Sequence, residues 1–68
     1  MNTERTRLEI LLFERGLSIA EAARQTKIPQ RRLNNKVHRR AKFTLPEMKA
    51  IQSRLFPEKT LEEIFEGY

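Results

Sequence analysis

A chain of 68 residues can form only one small domain, and the lack of cysteine excludes disulfides and thiolate metal sites as sources of stability. Lys and Arg outnumber Asp and Glu by 14 to 9, which gives a net charge of +5 at pH 7. No apolar run is long enough to cross a membrane and no signal-peptide pattern is present, so we expect a cytoplasmic protein.

The first two helices are separated by a glycine. The first helix is predicted over Arg5–Arg15, because Gly16 follows at the place where a helix end favours positive φ. A second helix is predicted to begin after Ser18, since Glu21 three residues later would complete a capping box. The apolar stripe of the first helix repeats at helical spacing and consists of Leu8, Leu11 and Leu12.

The third helix is predicted over Pro29–His38. Pro29 disfavours a helical conformation at the residue before it, so the second helix must end near Thr26. Leu33 and Val37 stand four residues apart and therefore form the buried stripe of the third helix. At about 100° per residue, five side chains point away from this stripe and two flank it. The outward residues are Arg31, Arg32, Asn35, His38 and Arg39, and the flanking ones are Gln30 and Asn34.

Two further helices are predicted over Leu45–Leu55 and Leu61–Glu66, each preceded by a capping-box pattern, TLPE and TLEE. No segment alternates apolar and polar residues as a strand does. The prediction is an all-α domain, a compact bundle of about five short helices. The residues expected to suffice for its core are Leu8, Leu11, Ala20, Ala23, Ile28, Leu33, Val37, Phe43, Met48, Ile51 and Leu55.

Positive charge is concentrated in the middle of the chain. Residues 24–42 contain eight basic side chains and no acidic one, whereas residues 1–23 have a net charge of −1 and residues 43–68 a net charge of −2. Such a block is typical of a surface that binds a polyanion. The alternative is a solvated basic face without a partner.

The stretch GLSIAEAARQTKIPQRRLNNK, Gly16 to Lys36, resembles the Cro/phage-repressor family of helix-turn-helix DNA-binding proteins. Glu21, Ala23 and Leu33 stand where the family tends to have Glu, Ala and a buried aliphatic residue. The downstream FTLPE and LEEIFEGY are also similar, so the resemblance covers nearly the whole chain. It implies a single lambda-repressor-like domain over residues 1–68, with the helix-turn-helix pair at about residues 18–38.

Three positions depart from the family pattern. Lys27 stands in the turn where the family often has glycine, and a left-handed lysine costs roughly 1 kcal/mol. Ile19 replaces a glutamine that commonly contacts a phosphate, and it cannot donate a hydrogen bond. Pro29 stands where Ser or Thr is common.

The resemblance implies that the helix Pro29–His38 lies in the major groove. Together with the helical geometry it assigns base reading to Gln30, Arg31, Asn34 and Asn35, since Arg pairs with guanine while Gln and Asn pair with adenine. The residues expected to contact phosphates are Arg32, Lys36, His38, Arg39, Arg40 and Lys42. Insertion of Lys42 into the minor groove is an alternative.

The predicted function is a sequence-specific regulator of transcription that binds double-stranded DNA, of the Cro or repressor kind found in phages and mobile elements, in the bacterial cytoplasm or nucleoid. No catalytic residue, metal site or cofactor is expected, because a single histidine without cysteine does not make a metal or nucleophile site. Alternatives are a protein-interaction module on the same scaffold, such as an anti-repressor or antitoxin, and an accessory or architectural DNA-binding factor.

Several apolar residues exceed what the core needs. Ile10 and Phe13 lie on the far side of the first helix, and Phe56, Phe65 and Tyr68 cluster near the end of the chain. Either the fifth helix packs back on the first and buries them, or they form a dimer or partner surface. A homodimer would bind an inverted repeat with half-sites about 34 Å apart.

Overall fold

The computed structural model describes residues 5–68, which form five α-helices and no strand. The all-α prediction is confirmed for this part of the chain; residues 1–4 of the predicted domain lie outside the described residues. Within residues 5–68 no helix is both long and apolar enough to cross a membrane. The helices are α1 (Arg7–Glu14), α2 (Ile19–Thr26), α3 (Gln30–Val37), α4 (Leu45–Leu55) and α5 (Leu61–Ile64).

Polar caps start four of the helices. At α1, α4 and α5 a threonine hydroxyl accepts from the backbone N–H of a glutamate three residues on, and that glutamate accepts from the threonine N–H. At α2, Ser18 caps the Glu21 N–H at 3.1 Å, but the Glu21 carboxylate pairs with Arg24, so the predicted box is only half formed. The three complete boxes are Thr6–Glu9, which the sequence analysis did not predict, Thr44–Glu47 and Thr60–Glu63.

One apolar core joins all five helices, because α5 returns to α1 and α4 while α2 packs against α3 and α4. One core prediction is wrong: Ala20 is exposed, and Ala22 is buried instead. Phe43 and Met48 are only partly buried and lie against the edge of the core. The buried apolar residues are Leu8, Leu11, Leu12, Ala22, Ala23, Ile28, Leu33, Val37, Ile51, Leu55, Phe56, Ile64 and Phe65.

Phe56 and Phe65 belong to this core and do not form a partner surface. Phe56 is fully buried and Phe65 is 8% exposed. Of the two alternatives given for these residues, burial by a fifth helix that packs back on the first is the one the structure shows for Phe56 and Phe65, and a dimer or partner surface at these two is ruled out.

Three residues, Lys27 to Pro29, connect α2 to α3. Lys27 ends α2 in the left-handed conformation, with φ 63° and ψ 28°, and its N–H bonds the Ala23 carbonyl. The buried Ile28 anchors the connection in the core. The strain of about 1 kcal/mol at Lys27 is offset by the contacts between α2 and α3 that this tight turn allows.

Candidate functional site

One side of α3 packs against the core, and the first turn of the helix is exposed to solvent. Leu33 and Val37 are buried, as predicted from their spacing, and hold the helix against its neighbours. Gln30, Arg31 and Arg32 are exposed. Asn34 and Asn35 are half-buried, so these two predicted base readers are less accessible than the first turn.

Most of the positive charge in residues 24–42 is not neutralised within the fold. Arg24 pairs with Glu21 and Lys36 pairs with Glu47. The six other cations form no ion pair with any carboxylate of residues 5–68, and all six are exposed. They are Lys27, Arg31, Arg32, Arg39, Arg40 and Lys42.

Lys36 does not belong to this exposed group, and its assignment as a phosphate contact is corrected. Its side chain runs along the core, and the residue is only 8% exposed. Its Nζ lies 2.5 Å from Glu47 Oε1, the same oxygen that accepts from the Thr44 N–H at 2.9 Å. Lys36 thus ties α3 to the capping residue of α4, a contact that helical geometry within α3 alone did not indicate.

This arrangement lowers the pKa of the Glu47 carboxyl. Burial is the largest influence and acts to raise that pKa, but the hydrogen bonds from the Lys36 ammonium and from the Thr44 N–H and hydroxyl together outweigh it. Glu47 therefore stays ionised as the counter-charge of Lys36, and this pair holds α3 and α4 together.

His38 also has internal partners, so its assignment as a phosphate contact is corrected. Its Nδ1 lies 2.8 Å from the Asn34 carbonyl oxygen and its Nε2 lies 2.7 Å from Glu9 Oε2. The Nδ1 contact stays within the last turn of α3, and the Nε2 contact joins the end of α3 to α1. Burial acts to raise the pKa of Glu9, but hydrogen bonds from the Thr6 N–H and from His38 outweigh it and the pKa is lowered.

The segment after α3 is held by the end of the chain. Arg39 has φ 66°, and its guanidinium carbon lies 5.1 Å from the centre of the Tyr68 ring. The Tyr68 hydroxyl donates to the Val37 carbonyl at 2.6 Å and lies 3.4 Å from the Leu8 N–H, which donates to it. Tyr68 thus connects α1, the end of α3 and Arg39. Tyr68 is also 37% exposed, and its role in a partner surface stays a prediction.

A pocket of about 250 Å³ lies beside this segment, with aromatic walls and cations at its rim. Phe43 and Tyr68 form its apolar side with ring centres 5.6 Å apart, and Phe43 also meets the Phe65 ring edge-on at 5.1 Å behind this wall. Sequence reasoning missed this cluster. The one available signal was the aromatic content of the final LEEIFEGY, which does not indicate a partner 25 residues away in the chain.

Asn35 and Arg40 share a weak contact on the exposed side of α3. The Arg40 Nη1 donates to Asn35 Oδ1 at 3.4 Å. The long distance leaves both side chains able to exchange this contact for another. Within residues 5–68, no group of three or more His, Cys, Asp or Glu side chains could hold a metal ion.

Comparison with protein-family models, with curated proteins and with solved structures gives no match to this chain. Its function is therefore inferred from the chemistry and placement of these residues.

Proposed function

We propose that the protein is a sequence-specific regulator of transcription that binds double-stranded DNA and reads the major groove with α3. The observation that carries the proposal is the first turn of α3, where Gln30, Arg31 and Arg32 are exposed within a segment whose cations are largely unpaired in residues 5–68. A helix is the right width for the major groove, and its N-terminal residues can reach base edges.

The exposed side chains have the chemistry of base readers. Arg31 can donate two parallel hydrogen bonds to guanine O6 and N7, and Gln30 can pair with adenine N6 and N7. Asn34 and Asn35 lie one turn further along and are half-buried, so they would contact bases only if α3 is inserted deeply into the groove. Each good bidentate contact discriminates between bases by about 1–3 kcal/mol.

The remaining exposed cations suit the DNA backbone. Arg32, Arg39, Arg40 and Lys42 follow one another along and after α3 and have no carboxylate partner among residues 5–68. If each neutralises one phosphate, the slope of log K against log salt is about −0.9 per contact, hence roughly −3.6 for the four. Lys36 and His38 add nothing to this number, because their partners are internal.

The connection between α2 and α3 supports a helix-turn-helix arrangement. Two helices of eight residues are joined by three residues, the first of which, Lys27, is left-handed. Short turns of this kind join the two helices of DNA-binding helix-turn-helix motifs. In such a motif α2 would cross the backbone while α3 enters the groove.

The test is selection of retained sequences from a pool of random duplexes, with wild type and the variants Arg31→Ala, Asn35→Ala and Arg54→Ala in parallel. Wild type should enrich one motif, and Arg31→Ala should relax base preference at one or two positions of it. Arg54→Ala is the matched control, because Arg54 is an exposed arginine on α4, outside residues 24–42, and its loss should leave the motif unchanged.

The other outcomes separate the alternatives. An unchanged motif in both Arg31→Ala and Asn35→Ala would refute base reading by α3. Salt-sensitive retention without any motif would favour an accessory or architectural DNA-binding factor. No retention at low salt would refute DNA binding and favour a protein-interaction module.

A further inference from the structure

The outer side of α1 presents apolar side chains to solvent. Phe13 is 73% exposed and Ile10 is 38% exposed, while the leucines on the opposite side of α1 are buried. The two are three residues apart and are therefore neighbours on the helix surface. Phe13 also borders a hollow of about 200 Å³ whose other walls include the half-buried Leu17 and Ile19. We call Ile10, Phe13, Leu17 and Ile19 the α1 face.

Two opposite charges flank the α1 face on one side. Arg7 and Glu14 are seven residues apart, about two turns, so they share one side of the helix. Glu14 is exposed and forms no ion pair within residues 5–68. Arg7 donates through Nε to the Glu63 carbonyl at 2.8 Å, which leaves its two terminal nitrogens for other acceptors.

We propose that the α1 face binds the α1 face of a second copy of this chain, with the two α1 helices antiparallel about a two-fold axis near Ile10. The midpoint between Arg7 and Glu14 lies next to Ile10, so an antiparallel pair places Arg7 of each copy opposite Glu14 of the other. The pattern is self-complementary, as a two-fold interface requires.

Packing and helix dipoles favour the same arrangement. Ile10 of one copy contacts Ile10 of the other at the axis. Each Phe13 packs beside this contact, against the α1 face of the other copy. Antiparallel helix dipoles also attract one another. This removes from water a phenylalanine that is 73% exposed in one chain, where the Arg5 guanidinium lies over its ring.

The size of the contact sets the strength of the dimer. α1 has eight residues and is about 12 Å long, so the contact is smaller than a standard protein–protein interface. The dimer is therefore weak in free solution and forms at high protein concentration. The inference does not depend on DNA binding, and its test contains no DNA.

The experiment uses two variants that are complementary to each other. In Arg7→Glu alone, and in Glu14→Lys alone, every ion pair across the proposed interface becomes a pair of like charges. In an equimolar mixture, the heterodimer regains opposite charges at both places. Sedimentation equilibrium over about 10 µM to 1 mM measures association in the range expected of a small interface.

We expect the dimer dissociation constant to rise about tenfold or more in each single variant, and the mixture to recover most of the wild-type value. Arg54→Glu is the matched control, because Arg54 is exposed on α4 and carries the same change of charge as Arg7→Glu. It should associate as wild type does.

A second variant keeps the test decisive if the loss of the Arg7 bond to Glu63 disturbs folding. Phe13→Asp replaces a ring that is 73% exposed and whose contact with the fold is the Arg5 guanidinium carbon 5.4 Å from the ring centre, so its thermal unfolding should stay close to wild type while its association is lost. A wild-type chain that remains monomeric throughout overturns the proposal and leaves the α1 face to a different protein. A mixture that associates no better than its components also overturns it, as does a Phe13→Asp chain that still dimerises.

Discussion

Replacing Glu47 by glutamine should destabilise the protein through a lysine that the substitution does not touch. Glu47 has two roles: it caps α4 through the Thr44 N–H, and it is the counter-charge of the buried Lys36. Glutamine keeps an oxygen that can serve the cap, since either residue completes a capping box. Glu47→Gln therefore removes the charge and leaves the local helix geometry in place.

The magnitude follows from the burial of Lys36. Removing one partner of a buried ion pair costs about 3–5 kcal/mol, because the other charge remains without compensation. The Lys36 side chain is 10% exposed, so its flexible end can recover part of its hydration. We expect a loss of about 2–3 kcal/mol, against a total free energy of unfolding of about 3–10 kcal/mol for a chain of this length.

The assay is thermal and urea unfolding at pH 7, followed by circular dichroism. At about 4–8 °C per kcal/mol, the Tm of Glu47→Gln should fall by roughly 10–20 °C. The double variant Lys36→Met/Glu47→Gln should return to within about 1 kcal/mol of wild type, because an apolar side chain of similar length needs no counter-charge. Glu66→Gln, at an exposed glutamate, is the control and should change the free energy of unfolding by no more than about 0.5 kcal/mol.

The result that refutes this reasoning is a loss below about 0.5 kcal/mol in Glu47→Gln, the range of ordinary surface substitutions. Lys36 would then be able to reach solvent without its partner. It would again be a candidate phosphate contact, and Lys36→Met would reduce the salt slope of DNA binding by about 1.

Three further predictions concern the core, the response to acid and the end of the chain. Phe56→Ala should lower the free energy of unfolding by about 3–5 kcal/mol and Phe13→Ala by about 0.5 kcal/mol or less, because the first ring is fully buried and the second is exposed. Urea unfolding measures both losses, and equal losses would contradict the placement of α5. Because the pKa values of Glu9 and Glu47 are lowered, their contribution to stability is complete above the ordinary value of 4.5 and is lost as the pH falls through the lowered values. The free energy of unfolding, measured from neutral to acidic pH, should therefore depend less on pH in Glu47→Gln than in wild type. Parallel curves of this free energy against pH would refute the prediction. Tyr68→Phe removes the hydroxyl that bonds the last carbonyl of α3 and should cost about 0.5–1.5 kcal/mol; an unchanged Tm would show that this bond contributes nothing.

Local signals in the sequence were sufficient for the helices. Thr44 with Glu47 and Thr60 with Glu63 start α4 and α5 where the capping pattern predicts, since a cap involves only residues within one turn. The same pattern at Thr6 and Glu9 was present in the sequence and went unused, and it starts α1 two residues later than predicted. Leu33 and Val37 are buried because helical spacing places them on one side.

The candidate site was predicted only where exposure follows from the helix itself. Arg31 and Arg32 point away from the Leu33 stripe and are exposed, and this needs no knowledge of the neighbouring helices. Whether they contact DNA remains a prediction. Lys36 lies at the border of the same stripe, where the angle alone does not decide between solvent and a neighbouring helix.

The sequence by itself determined the five helices to within about two residues at each end, and that the excess positive charge lies in residues 24–42, because both depend on neighbours along the chain. Tertiary structure alone decided which of those charges are available. Lys36 meets a carboxylate 11 residues away, His38 one 29 residues away, and the hydroxyl of Tyr68 a carbonyl 31 residues away. Contacts at such separations arise from the packing of whole helices, whose arrangement depends on all the apolar faces together and leaves no trace in the local pattern.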